Sequence, residues 1–342
     1  MNSSNQQERL VAPPKKKKSR LFFFIKIAGS VLLLAYVVWK SGLDSAAGRA
    51  GLLQTLEQVN FFWLACSLAV GILLTLISSW KWQVLLYSKG IEVSLARLFL
   101  FYFIGRFFNM FLPGAVGGDV VRVWELSRHS GEKYEALASV LVERLSGMAT
   151  LVLLSAVAVL AHDYRLPVLS VGVLLLAVMN LGIFWLILDR RILPLLSRLL
   201  GGRSALADRL LAKLSRLQDA VREYKDNKMV LVQVFAISCL FYFMAVINVW
   251  STALAFAPEV SFSSMLLAVP AIMLAMNLPV SIGGIGLMEA AFTFFFPLFG
   301  YSAALAVSTA LLMRLKNILY GLAGGMLHLG RLRAAGNGGA AR

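Results

Sequence analysis

Long apolar runs separated by short polar segments set the pattern of this chain. Runs of about twenty apolar residues predict helices that cross a membrane, whose hydrocarbon core is about 30 Å thick. We place about six full transmembrane helices at roughly 21–39, 61–80, 136–160, 166–188, 229–256 and 302–328. A short amphipathic stretch at about 44–59 separates the first two. The pattern therefore predicts an all-α, polytopic integral membrane protein.

Two further apolar stretches are too short for a full crossing. The first, about 95–112, stops at Pro113, and the second, about 263–278, stops at Pro279. A helix of about eighteen residues spans only about 27 Å, and a short helical segment follows each break. We therefore interpret both stretches as re-entrant or broken helical hairpins.

The two breaks share the pattern Pro-x-x-x-Gly-Gly. The first reads Asn109-Met-Phe-Leu-Pro-Gly-Ala-Val-Gly-Gly-Asp-Val-Val-Arg122, and the second reads Asn277-Leu-Pro-Val-Ser-Ile-Gly-Gly-Ile-Gly286. Lipid offers no hydrogen-bond partners to broken backbone, so such breaks persist only inside protein or beside a water-filled cavity. Interrupted segments in matching halves indicate a transport site between internal repeats.

A second motif recurs after each break. Ser139-Val-Leu-Val-Glu-Arg144 and Thr309-Ala-Leu-Leu-Met-Arg314 share the pattern [Ser/Thr]-x-Leu-x-x-Arg, and their arginines are 170 residues apart. The prolines of the two breaks are 166 residues apart. We therefore place repeat one at about 61–160 and repeat two at about 229–328, inside a single membrane domain at 21–330.

The net charge of +16 does not indicate nucleic-acid binding, because the basic residues are confined to particular segments. They gather at 9–20, 81–97, 122–133, 190–228 and the C-terminal tail, whereas the opposite loops carry only Lys40, Arg49 and Arg165. This distribution is the positive-inside asymmetry of membrane proteins. It predicts a multi-pass protein of the bacterial inner membrane with both termini in the cytoplasm.

The same asymmetry assigns a side to each polar segment. Residues 1–20 are predicted to form a basic cytoplasmic tail, 331–342 a flexible C-terminal tail, and 190–228 an amphipathic cytoplasmic segment on the membrane surface. Trp80-Lys81-Trp82 is interpreted as an interfacial anchor that closes the second span. Counted from these assignments, the first hairpin enters from the cytoplasm and the second from outside, which predicts an inverted repeat.

Residues suited to catalysis or metal binding are not grouped in a recognisable way. Cys66 and Cys239 lie within apolar spans, and the three histidines are scattered. No Gly-x-x-x-x-Gly-Lys-[Ser/Thr] phosphate loop and no nucleophile or metalloprotease motif occurs in the sequence. We therefore predict no enzyme activity, catalytic residue, metal or cofactor.

Small and polar residues of the first break are candidates for substrate contact. Gly117 and Gly118 let backbone amides approach a ligand closely. Asp119 could cap the following helix, whose start suits a phosphate or carboxylate. The alternative roles are tight helix packing for the glycines and bonding of freed backbone groups for Asn109.

The second break repeats this arrangement. Gly283, Gly284 and Gly286 stand where the glycines of the first break stand, and Asn277 precedes the break as its counterpart does. The same packing and backbone roles are the alternatives. Glu289 follows the break within an apolar run, where a carboxylate could carry a proton, cap the helix or form an ion pair.

Charged side chains in apolar segments complete the candidate set. A guanidinium matches a phosphate in bidentate geometry, and a buried charge is costly enough to need a role or a partner. Asp119 and Arg122 stand three residues apart and could pair, whereas the neighbours Glu143 and Arg144 point to different sides. The candidate substrate-binding residues are Asn109, Pro113, Gly117, Gly118, Asp119, Arg122, Glu143, Arg144, Asn277, Pro279, Gly283, Gly284, Gly286, Glu289 and Arg314. Arg106 is a further arginine in an apolar segment, while Asp119 and Glu143 share with Glu289 the alternatives of proton carrier, cap and ion-pair partner.

Three motifs together resemble a known family. They are Leu112-Pro-Gly-x-x-Gly-Gly-Asp119-x-x-Arg122, Glu143-Arg144-Leu-x-Gly147 and Pro279-x-Ser-x-Gly-Gly-Ile-Gly-x-x-Glu289. Over roughly 20–330 the chain resembles the flippase-like membrane domain of the lysylphosphatidylglycerol synthetase family. The resemblance implies an inner-membrane protein that moves or presents a lipid. The best-known members translocate aminoacylated phosphatidylglycerol and add a soluble aminoacyl-transferase domain; this chain ends soon after the last span, so that activity is not expected.

The leading hypothesis is lipid translocation, with an anionic or zwitterionic headgroup bound in a cavity between the two hairpins. Stand-alone members of the family are associated with varied polar lipids, so a phospholipid, a glycolipid or another polar lipid remains open. The alternatives are a transporter of a small soluble anion and a non-catalytic membrane partner of a lipid-modifying enzyme. Partners therefore comprise a membrane lipid, a lipid-modifying enzyme or a second copy of the chain, and no nucleic acid.

Overall fold

Helices make up the whole secondary structure of the part of the chain that is described. The computed structural model describes residues 17–111, 117–161, 171, 174–175, 178–179, 182, 189, 205–277, 281 and 284–339, and these ranges contain no strand. The helices are α1 Lys17–Ser41, α2 Ala46–Glu57, α3 Phe61–Tyr87, α4 Leu95–Asn109, α5 Gly117–Ser130, α6 Lys133–Ala161, α7 Ala205–Asp226, α8 Lys228–Leu254, α9 Phe262–Met276, α10 Leu287–Phe295 and α11 Ala303–Gly339, with a 3₁₀ turn at Phe296–Phe299 after α10.

Four of these helices are long and apolar enough to cross a membrane. They are α3, α6, α8 and α11, and α1 with α2 would make a fifth span bent by 91° between them. The prediction of several membrane helices is confirmed at this coarser level. The span expected at 166–188 lies almost entirely outside the described residues, so the number six remains a prediction.

Polar residues just ahead of the apolar runs set where the long helices begin. The side-chain oxygen of Asn60 accepts hydrogen bonds from the backbone of Phe62 (3.0 Å) and Trp63 (3.4 Å) at the start of α3. Asn227 does the same for Val230 (3.2 Å) at the start of α8. Such N-caps satisfy amides that lack a partner in the first turn. Both helices contain 27 residues, which corresponds to about 40 Å.

The interpretation of Trp80-Lys81-Trp82 as an interfacial anchor is wrong. Helix α3 continues to Tyr87, and both Lys81 and Trp82 are buried, while Trp80 alone of the three is exposed. The indole nitrogen of Trp82 donates to Ser139 Oγ of α6 at 2.9 Å. Aromatic and basic residues near a helix end occur both at interfaces and in polar interiors, so composition does not separate the two cases.

Two short helix pairs interrupt the sequence of long helices, at the positions of the two predicted breaks. The first hairpin consists of α4 and α5, and its two ends meet where Arg97 Nη1 lies 2.6 Å from His129 Nε2. The second hairpin consists of α9, α10 and the 3₁₀ turn, and its ends meet where the amide of Ser261 donates to the Tyr301 hydroxyl at 2.9 Å. Helices α4 and α9 contain 15 residues each, about 22 Å, and are too short to cross a bilayer core.

The helices of the two halves pack in the same order. In the first half α3 contacts α4 and α6, α4 contacts α5, and α5 contacts α6. In the second half α8 contacts α9 and α11, α9 contacts α10, and α10 contacts α11. Between the halves, α3 packs along α8, α4 along α11, and α9 along α6. Each half thus contains two long helices that enclose one hairpin.

Each half also has its own apolar core. The first half is centred on Trp82, Phe101 and Leu126, which join α3, α4 and α5. The second and larger core joins the end of α8 to α9, α10 and α11. Helix packing within a membrane depends on such side-chain fit, because lipid supplies no hydrophobic drive between helices.

Helix α7 lies in the segment predicted to be amphipathic at 190–228, of which 190–204 lies outside the described residues. Its apolar side, with Val221 and Tyr224, packs in a cluster with Leu85 of α3 and leaves Lys213 exposed. The Tyr224 hydroxyl donates to the Leu85 carbonyl at 3.3 Å. Burial, followed by the nearby carboxylates Glu135 and Glu223, raises the pKa of Tyr224. The cytoplasmic, surface-lying position of this segment stays a prediction.

Candidate functional site

A network of four charged residues, which we call the charge cluster, lies between α5 and α6. It consists of Asp119, Arg122, Glu143 and Arg144. Arg122 is buried, and its guanidinium donates to Glu143 Oε2 at 2.5 Å and to Asp119 Oδ1 at 3.2 Å. The pairing of Asp119 with Arg122 follows from their three-residue spacing on one helix and confirms that expectation.

Arg144 extends the charge cluster toward the protein surface. Its Nε donates to Asp119 Oδ2 at 2.7 Å, yet 45% of its side chain is exposed, against 5% for Arg122. Glu143 and Arg144 bind different partners, as their adjacent positions on a helix predict. The order Arg144–Asp119–Arg122–Glu143 alternates positive and negative groups, so the buried members carry one excess negative charge that the exposed Arg144 balances.

Aromatic rings fix the orientation of Arg122. Its guanidinium carbon lies 3.6 Å from the Tyr102 ring centroid and 4.2 Å from the Trp82 ring centroid, a cation–π arrangement that strengthens when water is excluded. The Tyr102 hydroxyl also donates to the Glu143 carboxylate. The Nε of Arg122 is buried and has no hydrogen-bond partner within the described ranges. No motif in the sequence marks Tyr102 or Trp82 as part of the site.

Lys81, predicted to lie at the membrane interface, is a further member of the site. Its Nζ donates to the Glu143 backbone carbonyl and to Ser238 Oγ, both at 3.4 Å, and so connects α3 to α6 and α8. A lysine inside an apolar run is itself a signal of a polar interior. The sequence contains this signal, but the tryptophans on both sides of Lys81 favour the membrane interface instead.

At the first break, Asn109 and Gly118 bind each other. The Gly118 amide donates to Asn109 Oδ1 at 2.5 Å, so this asparagine satisfies a freed backbone group. A Cβ placed on Gly118 would lie 2.5 Å from the carbonyl oxygen of Gly105, which shows that close packing of α4 on α5 requires glycine there. Gly117 begins α5 and is partly exposed. Pro113 lies outside the described residues.

At the second break, Glu289 and Arg314 form a pair that also holds the backbone. Glu289 Oε2 accepts from the Gly286 amide at 3.0 Å and from Arg314 Nη2 at 2.8 Å, and Arg314 Nη2 donates to the Gly284 carbonyl at 3.0 Å. Gly284 and Gly286 have φ values of +73° and +79°, a region that favours glycine. We call Glu289 and Arg314 the second-break pair.

The remaining residues predicted at the second break contribute less to this geometry. Asn277 is exposed, and its amide donates to the carbonyl of Met273 on its own helix at 2.9 Å. Pro279 and Gly283 lie outside the described residues. A Cβ on Gly286 would lie 2.8 Å from the Ser30 carbonyl oxygen, so α1 packs directly against this break.

The two breaks carry equivalent ion pairs. In each half an acidic residue in the first turn of the helix after the break binds an arginine of the following long helix, as Asp119 binds Arg144 and Glu289 binds Arg314. The two partners are 25 residues apart in both pairs. The structure therefore gathers the predicted residues into two sets, one in each half.

Comparison with known proteins agrees with this architecture. A UPF0104 membrane protein of Pyrococcus horikoshii is 24% identical to this chain over 326 residues, an alignment that covers 87% of this chain and 94% of that protein. No solved structure gives a significant match. The family model described as the lysylphosphatidylglycerol synthase TM region matches residues 23–325. Since that match covers most of the chain, and since the three motifs had predicted it, this membrane protein belongs to the lysylphosphatidylglycerol synthase TM region family.

Proposed function

We propose that this protein translocates a polar lipid across the bacterial inner membrane and binds the anionic part of its headgroup at the charge cluster. The proposal is carried by the exposure of the Arg144 side chain together with its bond to Asp119. Its side chain is 45% exposed, yet its Nε donates to Asp119 in the first turn of the helix that follows the first break. Fixed donors at a helix start are suited to phosphate and carboxylate groups.

The placement of the hairpins supports an inverted repeat around this site. The first hairpin follows the C-terminus of α3, and the second follows the C-terminus of α8. The Asn60 amide donates to the Ala255 carbonyl at 2.7 Å, so α3 begins beside the end of α8. We infer that the hairpins enter from opposite ends of the bundle, as expected for alternating access to one site.

Roles within the site follow from burial. Arg144 would contact the headgroup directly, because it is the exposed cation of the cluster. Arg122 would position Asp119 and Glu143, and its remaining Nε–H could donate to a headgroup oxygen that enters the cluster. Gly117 would add a backbone amide at the first turn of α5. The second-break pair would close the same path from the other side.

Apolar side chains around the first break favour a lipid over a soluble anion. Phe111, Val120 and Trp124 flank the charge cluster in sequence, and each is at least 49% exposed. A soluble anion requires a path closed off from lipid, whereas a lipid requires an apolar border along which its acyl chains can move. We therefore assign the acyl chains to the lipid-facing side of α5 and the headgroup to its polar side.

Vesicle transport assays test this proposal. The protein is reconstituted with phosphatidylglycerol and phosphatidylethanolamine that carry a fluorescent acyl chain, and dithionite reduction reports exchange between leaflets. We expect Arg144→Gln to slow exchange at least tenfold, and Arg144→Lys to slow it less, because lysine keeps the charge without the planar fork. Arg216→Gln, at an exposed arginine of α7, is the matched control.

Equal exchange rates in Arg144→Gln and the wild type would refute the role of the charge cluster. Arg122 is a poorer first target, because its loss leaves a buried carboxylate unpaired and endangers the fold. Mass spectrometry of lipids retained after gentle extraction then identifies the natural headgroup. A wild-type protein that exchanges neither labelled lipid but retains a different polar lipid would redirect the assay to that lipid.

A further inference from the structure

Another buried cation, Lys316, lies far along the chain from the charge cluster, in α11. Lys316 is only 2% exposed. Its Nζ donates to Thr252 Oγ1 at 2.6 Å and to Asn248 Oδ1 at 2.9 Å, both on α8. Neither partner carries a charge, and no carboxylate lies within ion-pairing distance of Lys316 in the described part of the chain.

The carboxylates that the sequence suggested as proton carriers differ from Lys316 because each is bound to an oppositely charged residue. Asp119, Glu143 and Glu289 each accept hydrogen bonds from an arginine. Arginine keeps its proton under all ordinary conditions, so each of these carboxylates remains beside a permanent positive charge. We therefore interpret these three carboxylates as ion-pair partners.

A buried lysine without a charged partner can bind and release a proton. An isolated charge near the centre of a bilayer costs about 2.5–3.5 kcal/mol on insertion scales, and a buried lysine can release its proton where arginine cannot. The Thr252 hydroxyl, which now donates to the Asn248 carbonyl at 2.5 Å, could rotate and donate to a neutral amine. The site can therefore satisfy both protonation states of Lys316.

The other titratable groups near Lys316 are directed elsewhere. On the same helix, Tyr320 donates its hydroxyl to the Leu68 carbonyl of α3 at 2.8 Å. Arg106 of α4 has its guanidinium 5.2 Å from the Tyr320 ring centroid. From α10, Glu289 is bound to Arg314.

Three further groups are a neutral amide, a turn without a titratable residue and one arginine that is bonded elsewhere. Asn248 donates its own amide to the Ser67 carbonyl of α3 at 3.2 Å, and the 3₁₀ turn that packs on α11 carries no titratable residue. Arg49 of α2 donates to the carbonyls of Leu43 and Asp44 in the loop before it. Lys316 is thus held by α8 and linked through Asn248 to α3.

We propose that Lys316, Asn248 and Thr252 form a proton-binding site that couples proton movement to the transport cycle. A proton would bind Nζ from water on one side of the membrane and leave to water on the other side. The site joins α8 to α11, the two long helices that enclose the second hairpin, so a rearrangement of that hairpin would open it. The coupling of this site to transport rests on the proposed lipid translocation, whereas the binding of a proton at Lys316 does not.

Direct observation of the amine tests the proton site without a transport substrate. The protein in lipid nanodiscs is labelled at the lysine Cε carbons, and the carbon resonances are followed as pH changes. We expect one resonance to be absent in Lys316→Arg and to titrate independently of the surface lysines. Lys225→Arg, at an exposed lysine of α7, is the control and should remove a different resonance. A Lys316 resonance that does not titrate over the pH range in which the protein stays folded would overturn the inference.

A pH gradient across reconstituted vesicles tests the coupling. For one coupled proton, a gradient of one pH unit can shift the steady-state lipid distribution up to about tenfold. We expect the wild type to respond, and Lys316→Arg and Lys316→Met not to respond. The two variants differ in charge and size. Melting curves identify a variant that fails to fold, and the gradient response of the folded variant then tests the coupling.

The nanodisc titration and the gradient assay distinguish failure of the proton site from failure of the proposed lipid translocation. A gradient response that persists in a folded Lys316 variant would refute the coupling site. A wild type that exchanges no labelled lipid would count against the proposed function for those lipids, and the nanodisc titration would then decide the proton site alone.

Discussion

The ion pair between Arg122 and Glu143 should dominate the stability of the first half. Both side chains are less than 10% exposed, so neither charge can regain water when the other is removed. Breaking a buried pair by removing one partner costs about 3–5 kcal/mol. Arg122→Met should cost this amount, because Glu143 then keeps only the Tyr102 hydroxyl and the nearby amine of Lys81. Arg122→Lys should also be costly, because the planar contact with the two rings is lost.

Removing both partners should restore most of this stability. In the double variant Arg122→Met/Glu143→Leu, Asp119 retains Arg144, and the Tyr102 hydroxyl still has the Ser78 carbonyl at 3.2 Å as an acceptor. Replacing a whole buried pair by apolar groups is often neutral or stabilising by about 1–4 kcal/mol. We therefore expect the double variant to be more stable than either single variant.

A double-mutant cycle measures this coupling. Free energies of unfolding are obtained for the wild type, the two single variants and the double variant by reversible denaturation in mixed micelles. The coupling should be favourable by at least about 2 kcal/mol, well above the value of an exposed pair. Single-variant losses below about 1 kcal/mol, or losses that simply add in the double variant, would show that Arg122 and Glu143 do not form a buried pair.

Three further expectations concern stability, measured as melting temperature. Gly118→Ala should be strongly destabilising, because its Cβ would lie 2.5 Å from a carbonyl oxygen, whereas Gly51→Ala, which has no neighbour within 4 Å, should be neutral or slightly stabilising. Glu289→Gln and Arg314→Gln should each be destabilising, and their effects should not add, since they break the same pair. Asn60→Ala should cost about 1 kcal/mol through loss of the α3 N-cap; equal melting temperatures would place the start of α3 elsewhere.

Apolar length is sufficient to predict the long helices that the structure describes, and short helices lie on either side of both predicted breaks. The spacing of Asp119 and Arg122 was sufficient to predict their bond, because three residues place side chains on one helix face. The partner of Glu143 was not predictable in this way, since it lies on another helix 21 residues away. Local rules fix local pairs, and contacts between helices depend on how each helix is rotated.

Rotation is the quantity that a membrane sequence specifies least. A helix of a soluble protein marks its interior by an apolar stripe, but a membrane helix is apolar toward both its neighbours and the lipid. Helix α3 illustrates this: Trp80 faces outward while Lys81 and Trp82 face the interior. The sequence therefore shows that charged residues lie within the membrane spans, but it does not show which of them form ion pairs between helices.

The two halves share one ion pair but differ in their other buried charged residues, and these differences bear on function. Both halves keep an acid–arginine pair with a 25-residue separation, so the shared geometry belongs to the break itself. The first half adds Arg122 and Glu143 to its pair, whereas the second half has Lys316 with neutral partners. The proposed repeat accounts for the shared packing order of the helices, but it does not require these differences. Lys316 departs from the repeat and is the residue to which proton coupling is assigned, whereas headgroup binding is assigned to Arg144, a member of the shared pair.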